Sequence, residues 1–143
     1  MIRLKQLKAV DKRVLADVNR LISQLSSTAK KLPMRQLAKM VKDKNSIFIG
    51  VWDGRNIVGM GSIVFVLTII GLRARMEDVV IDERYRGKGI GKRLTNRLIQ
   101  IARTRKIRWL EFTSRTDRKE TNQFYRRLGF KKRDTNVYRL TFE

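Results

Sequence analysis

The sequence predicts a mixed α/β (α+β) fold: a central mixed sheet flanked by helices, with antiparallel N-terminal strands and one parallel pair. Three observations predict it. Strand-like stretches recur at 2–7, 47–52, 57–69 and 76–81, the first alternating apolar with basic residues and the later ones rich in β-branched residues. Helical apolar spacing marks Val14, Leu15, Val18, Leu21, Ile22 and Leu25, and again Ile90, Leu94, Leu98 and Ile101. A full helix separates the strand at 76–81 from the strand-like Arg108–Ser114, which makes those two strands parallel neighbours joined by a right-handed crossover.

In chain order, Ile2–Leu7 opens the sheet, and Asp11 stands where an N-cap precedes the first helix, which Ser26-Ser27-Thr28 ends. Pro33 suits the first turn of a second helix with Leu37, Met40 and Val41 as its stripe. Asp53-Gly54-Arg55-Asn56 turns one strand into the next, and Gly71 turns that strand into the one carrying Glu77. Val137–Phe142 reads as a closing strand. With 143 residues and 42% hydrophobic content the chain is read as one domain, 1–143, without repeats.

Composition excludes several chemistries. There is no Cys and no His, so thiolate nucleophiles, disulfides and serine–histidine relays are absent, together with the commonest zinc ligands. No metal cluster is expected. The longest uncharged run, Asn56–Leu72, has 17 residues and is interrupted by glycines, so no membrane span or membrane partner is expected. Nothing near the N-terminus reads as a signal peptide, and a soluble cytoplasmic protein is the expectation. Oligomeric state is open, a homodimer included.

Charge is extreme and uneven. The net charge is +21, from 34 basic and 13 acidic residues. Residues 84–110 hold ten basic side chains and no acidic one, whereas residues 46–83 hold three basic and five acidic. A solvated basic surface is the plain account; weak, salt-sensitive attraction to polyanions such as nucleic acid is the sharper one.

The chemistry-bearing stretch is Met76–Gly91. A strand runs into Arg86-Gly87-Lys88-Gly89-Ile90-Gly91, which opens a helix. The first amides of a helix lack partners within it and sit at the positive end of its dipole, and glycines let backbone approach a phosphate closely. Walker A and G-x-G-x-x-G spacings are both absent, but Arg-x-x-Gly-x-Gly is present at Arg86, Gly89 and Gly91. That loop resembles the coenzyme A pyrophosphate loop of the GNAT superfamily of N-acetyltransferases. A second motif strengthens the likeness: Asn122-x-x-Phe124-Tyr125-x-x-x-Gly129-Phe130. In physical terms this is a short helix closed by a left-handed glycine, with Phe130 packed back on it.

The resemblance is specific from about Met76 to Phe130 and implies the GNAT acyltransferase fold, its parallel strand pair around the cofactor. It implies acetyl-coenzyme A as acetyl donor, without a metal, and direct transfer in a ternary complex to a primary amine, on a small molecule or a protein. Glu77-Asp78-Val79-Val80-Ile81 also looks like the same segment of several GNAT enzymes, glucosamine-6-phosphate N-acetyltransferase among them, but nothing before residue 76 supports that substrate. By resemblance, backbone groups of Val79, Val80 and Ile81 meet the pantetheine arm. Arg86, Gly87, Lys88, Gly89, Ile90 and Gly91 wrap the diphosphate, Asn122 approaches the cofactor, and Tyr125 protonates the departing thiolate. Glu77 is the preferred base, through a water, since it sits one residue into the strand that the resemblance puts beside the thioester; simple alternation gives it the face of Val79 and Ile81, with Asp78 on the other. A bulge, usual in the family, would reverse the choice between Glu77 and Asp78. Glu111 is a weaker acid–base candidate, and Trp52 and Trp109 read as packing residues. The competing class is a basic nucleic-acid- or ribosome-associated binding module on the same fold.

Overall fold

A computed structural model describes all of residues 1–143. It divides into two compact units, Met1–Phe112 and Thr113–Glu143.

The first unit is a five-stranded sheet in the order β1-β2-β3-β4-β5, formed by Ile2–Gln6, Ser46–Asp53, Asn56–Thr68, Gly71–Ile81 and Leu110–Glu111. The first four strands are antiparallel neighbours, and β4 and β5 run parallel. Helices α1 (Lys12–Leu25) and α2 (Met34–Lys42) follow β1, and α3 (Ile90–Thr104) is the crossover from β4 to β5. Asp11 caps α1 as the sequence predicts: its Oδ1 accepts the Val14 amide at 2.8 Å.

Both sheet faces are covered, so the strands are apolar on both sides. On one face Val14, Val18 and Leu21 of α1 and Leu37 of α2 pack against Phe48, Met60 and Val80. On the other lie Leu94 and Leu98 of α3, and here Gly61 has a packing reason. A β-carbon at Gly61 would come within 3.2 Å of Leu98 and Val79 and 3.4 Å of Leu94. The missing side chain lets the crossover helix sit close on the sheet.

The parallel pairing is short. Only Ala74 and Arg75 of β4 pair with Leu110 and Glu111 of β5. From Met76 onward β4 keeps β3 on one side and lacks β5 on the other. The strand expected over Arg108–Ser114 is thus reduced to Leu110–Glu111.

The second unit contains α4 (Lys119–Arg127). Its end is a Schellman turn. Gly129, at φ 101°, donates to the Arg126 carbonyl at 3.0 Å, and Phe130 donates to the Tyr125 carbonyl at 3.2 Å. The expected closing strand at Val137–Phe142 is not formed: residues 131–143 carry no regular structure and are exposed throughout. Alternating apolar residues favour a strand only where a neighbouring strand takes up their backbone groups, and this segment has no ladder partner.

Candidate active site

The exit of β4 carries the candidate residues of the first unit, and its shape comes from a bulge. Ser62 pairs with Glu77 and Met60 with Val80, so Gly61 alone faces both Asp78 and Val79. Asp78 takes up the extra residue at φ 54°, a left-handed conformation that Asp tolerates better than most side chains. This overturns simple alternation. Cross-strand partners share a face, so Glu77 lies on the α1/α2 face with Met60 and Val80, and Val79 turns to α3.

The two carboxylates of the bulge differ in their surroundings. Glu77 accepts from Arg75 Nε at 3.0 Å in a half-exposed ion pair. Asp78 makes no hydrogen bond or ion pair. Partial desolvation and, secondarily, the neighbouring Glu77 charge push its carboxyl above the usual carboxylate range.

Asp82 anchors the turn that leaves β4. Its side chain is fully buried and caps the short 3₁₀ turn Glu83–Tyr85 through the Arg84 amide at 3.1 Å. Burial alone would raise its pKa. The side-chain and backbone hydrogen bonds of Arg84 and the charges of Arg84 and Arg20 outweigh burial and hold it at about 2. Arg20 also bonds Asp17 at 2.7 Å, and Asp17 accepts the Ile57 amide at 2.8 Å, so α1, β3 and the β4 exit share one network. A second tie runs from Tyr85 Oη to Asp53 at 2.6 Å, which holds the Asp53 carboxyl below its ordinary value and raises the Tyr85 phenol.

The glycine-rich turn between these anchors and α3 is open. Gly87 and Gly89 stand at φ 76° and 78°, and a β-carbon at either would meet nothing within 4 Å. Glycine is there for backbone conformation and clear space. Gly89 caps α3 without a side-chain hydrogen bond, and the first helical bond is Arg93 N–H to the Gly89 carbonyl at 3.2 Å. The amides of Ile90, Gly91 and Lys92 therefore have no acceptor within the helix, and no acidic residue occupies its first turn. Arg86 Nε donates to the Ile81 carbonyl at 2.9 Å, which fixes its guanidinium beside the turn, and Lys88 Nζ lies 5.3 Å from the Tyr85 ring centre. Uncapped amides, a helix dipole and two cations fit the diphosphate of coenzyme A.

In the second unit Tyr125 meets Phe124 and Phe130 edge to face, with ring centres 5.2 and 5.8 Å away. Burial pushes its phenol above the ordinary value. Asn122 Nδ2 donates to the Arg115 carbonyl at 3.0 Å and so closes the turn before α4.

Sequence reasoning missed Asp82, Tyr85 and the Asp17–Arg20 pair. The only available signal was polar residues at positions flanked by strand and helix patterns. No group of three or more acidic residues is brought together as a metal site would need.

Against protein families, residues 16–130 match the Acetyltransferase (GNAT) family. The chain belongs to the GNAT acetyltransferase family. The match runs through both compact units. An uncharacterised N-acetyltransferase of Methanocaldococcus jannaschii is 34% identical over 61 residues, 43% of this chain; the matched segment spans only 27% of that relative's length. A structure described as a transcriptional regulator from Bacillus halodurans superposes with TM-score 0.82 at 27% identity, covering 99% of this chain and 100% of that one. An aminoglycoside acetyltransferase from an uncultured soil metagenomic sample, in complex with trehalose, superposes with TM-score 0.87 at 16% identity, over 99% and 97% of the two chains. These likenesses place the mixed five-stranded sheet and its helices among GNAT acetyltransferase folds.

Proposed function

We propose that residues 1–143 act as one N-acetyltransferase domain, which passes the acetyl group of acetyl-coenzyme A directly to a primary amine within a ternary complex. The observation that carries this reading is the turn from Arg86 to Gly91, with two left-handed glycines, uncapped helix amides and two cations. The domain would work in the cytoplasm.

Backbone groups of Val79, Val80 and Ile81 would hold the pantetheine arm, and Arg86, Gly87, Lys88, Gly89, Ile90 and Gly91 the diphosphate, with Asn122 as a further contact. When bound, acetyl-coenzyme A supplies an activated thioester carbonyl. The chain's residues manage the protons around it. An incoming ammonium must lose a proton before its nitrogen can form the new N–C bond, and a bulge carboxylate takes that proton, directly or through water. Glu77 is held by Arg75, whereas Asp78 has no partner and a pKa shifted toward neutrality, which improves it as a base. As the C–S bond breaks, Tyr125 donates its phenolic proton to sulfur. A phenol whose pKa is raised by burial remains protonated at neutral pH and keeps that proton available.

The test is acetyl-coenzyme A consumption against a panel of amines, polyamines, aminosugars and peptides. On the best acceptor, Tyr125→Phe should lower turnover roughly 10²–10⁴-fold with little change in cofactor affinity. Undiminished turnover would leave Tyr125 a packing residue. Glu77→Gln and Asp78→Asn, compared across pH, identify the base as the one whose loss removes the acid limb of the profile.

A further inference from the structure

The turn between β3 and β4 is built from the wrong residues for a turn. Two-residue hairpin connections favour Gly, Asn and Asp, which accept positive φ or bond their own backbone. Here the chain turns on Ile69-Ile70, neither of them at positive φ, with Gly71 at φ 136° and Thr68 Oγ1 donating to the Gly71 carbonyl at 2.9 Å. Leu67, Ile69 and Ile70 are 81%, 106% and 66% exposed, a contiguous aliphatic tip with no packing role in this chain.

On the α3 side the surroundings of this tip are basic, and the nearest acidic side chain in the neighbouring α2–β2 turn, Asp43, is engaged by the Asn45 amide. The link from α3 to β5 lies against it: Arg108 donates its amide to the Leu72 carbonyl at 2.9 Å and Nη1 to the Ile70 carbonyl at 3.1 Å. The Arg105 guanidinium sits 4.6 Å from the Phe65 ring centre, one strand-pleat below Leu67. Lys106 is exposed on the same link, and Arg103 is exposed in the last turn of α3. Neither 56–76 nor 84–110 contains an acidic residue, so nothing in these stretches neutralises the collar.

An aliphatic tip in a basic collar selects its partner by chemistry. A second copy of this chain would set like-charged collars against each other. Single-stranded nucleic acid would take up the cations but reward aromatic platforms, which this turn lacks. A bilayer with anionic headgroups satisfies both parts at once, with aliphatic side chains at the acyl boundary and arginines among the phosphates. We propose that the β3–β4 tip, with Arg103, Arg105, Lys106 and Arg108, docks this protein peripherally on an anionic phospholipid surface. No helix of the chain is long and apolar enough to cross a membrane, so the contact is with the surface alone. The proposal departs from the expectation of no membrane partner, which rests on the lack of a spanning segment.

The experiment is co-sedimentation of the full chain with phosphatidylcholine vesicles, with and without phosphatidylserine, over a range of salt. Binding is expected only to the phosphatidylserine vesicles. Because the overall charge would attract them anyway, the decisive variant is Leu67→Ser/Ile69→Ser/Ile70→Ser. It should keep its melting temperature and lose affinity by about tenfold for each side chain removed. Ile69→Trp should bind with a blue-shifted indole emission. The proposal is overturned if the triple variant binds like the parent, since charge alone would then suffice. It is equally overturned by no binding at low salt, or by an unshifted Ile69→Trp emission in the bound state. A triple variant that converts a dimer to a monomer would assign the tip to a second copy instead.

Discussion

The N-terminal end of α3 is polar, glycine-rich and tied down, whereas at its C-terminal end, about 22 Å along the axis, the neighbouring turn is aliphatic and exposed. Both ends are strongly basic. At the first, Asp82 and Asp53 hold the loop through Arg84, Arg20 and Tyr85, so Arg86 and Lys88 are presented on an anchored turn. At the second, Arg105 and Arg108 pack on Phe65, Trp109 and the Ile70 carbonyl, with no carboxylate partner. One run of ten cations from 84 to 110 is thus divided by a helix, which itself carries Lys92, Arg93, Arg97 and Arg103, into a group before it and a group at and after its end. The lesson is that a charge count along a chain does not give the number of sites; the element between the charges does.

The largest effect that separates the two ends is expected from Gly89→Val. At φ 78° a β-branched residue is strained, by about 1–2 kcal/mol, and its side chain would stand in the space the turn leaves clear. Affinity for acetyl-coenzyme A should fall roughly a hundredfold or more through lost backbone hydrogen bonds to charged oxygens. Vesicle binding by the far end should not change. Calorimetric titration decides it: a folded variant with parental affinity would refute the assignment of the loop.

A smaller effect is expected from acid, and it originates at the loop end. Asp82 has a folded pKa of about 2 against an ordinary 3.8. A depressed carboxylate stabilises the fold fully above the unfolded value and loses that contribution as pH falls from about 4 towards 2. The amount is about 2 kcal/mol. Asp82→Asn should therefore be less stable than the parent at neutral pH, with a gap that closes across that window. Denaturant melts of both proteins at several pH values measure it. A gap independent of pH would show that the Arg84 and Arg20 pairs contribute no charge linkage.

Much of the loop end was legible in the sequence, and of the tip its place only. The signal for the loop was local: glycines at fixed offsets between a strand pattern and a helix pattern, as with Gly129 after α4. The bulge was not legible in detail. Every residue from Met76 to Ile81 tolerates a strand, and the slip at Asp78 depends on how β4 pairs with β3 across Gly61. Pairing is non-local, and so are the Tyr85–Asp53 and Arg20–Asp82 contacts. The tip was legible in its place and not in its exposure. A strand to about Ile69 and a turn at Gly71 match β3 and β4, but the hydropathy of this stretch reads as buried, and only the fold shows that Leu67, Ile69 and Ile70 extend past the cover of the helices. Val137–Phe142 carries the opposite lesson, since a strand pattern without a ladder partner is not a strand.

The smallest effect tests whether the two basic surfaces act independently on a flexible polyanion. A fluorescent single-stranded oligonucleotide should bind this chain weakly, and its affinity should fall linearly with salt on logarithmic axes. The slope reports the phosphates neutralised, at about 0.7 for each on a single strand. Saturating coenzyme A should occupy Arg86 and Lys88 and leave the cluster from Arg103 to Arg108 available. If an oligonucleotide spans both surfaces, coenzyme A should lower the slope by about 1.4, two contacts' worth, without abolishing binding. Complete displacement by coenzyme A would mean that only the loop end meets the strand. An unchanged slope would mean that only the far end does. Tight, salt-resistant and sequence-selective binding would go further, because two diffuse basic surfaces cannot produce it, and a dedicated nucleic-acid site would then have to exist beside the acetyltransferase machinery.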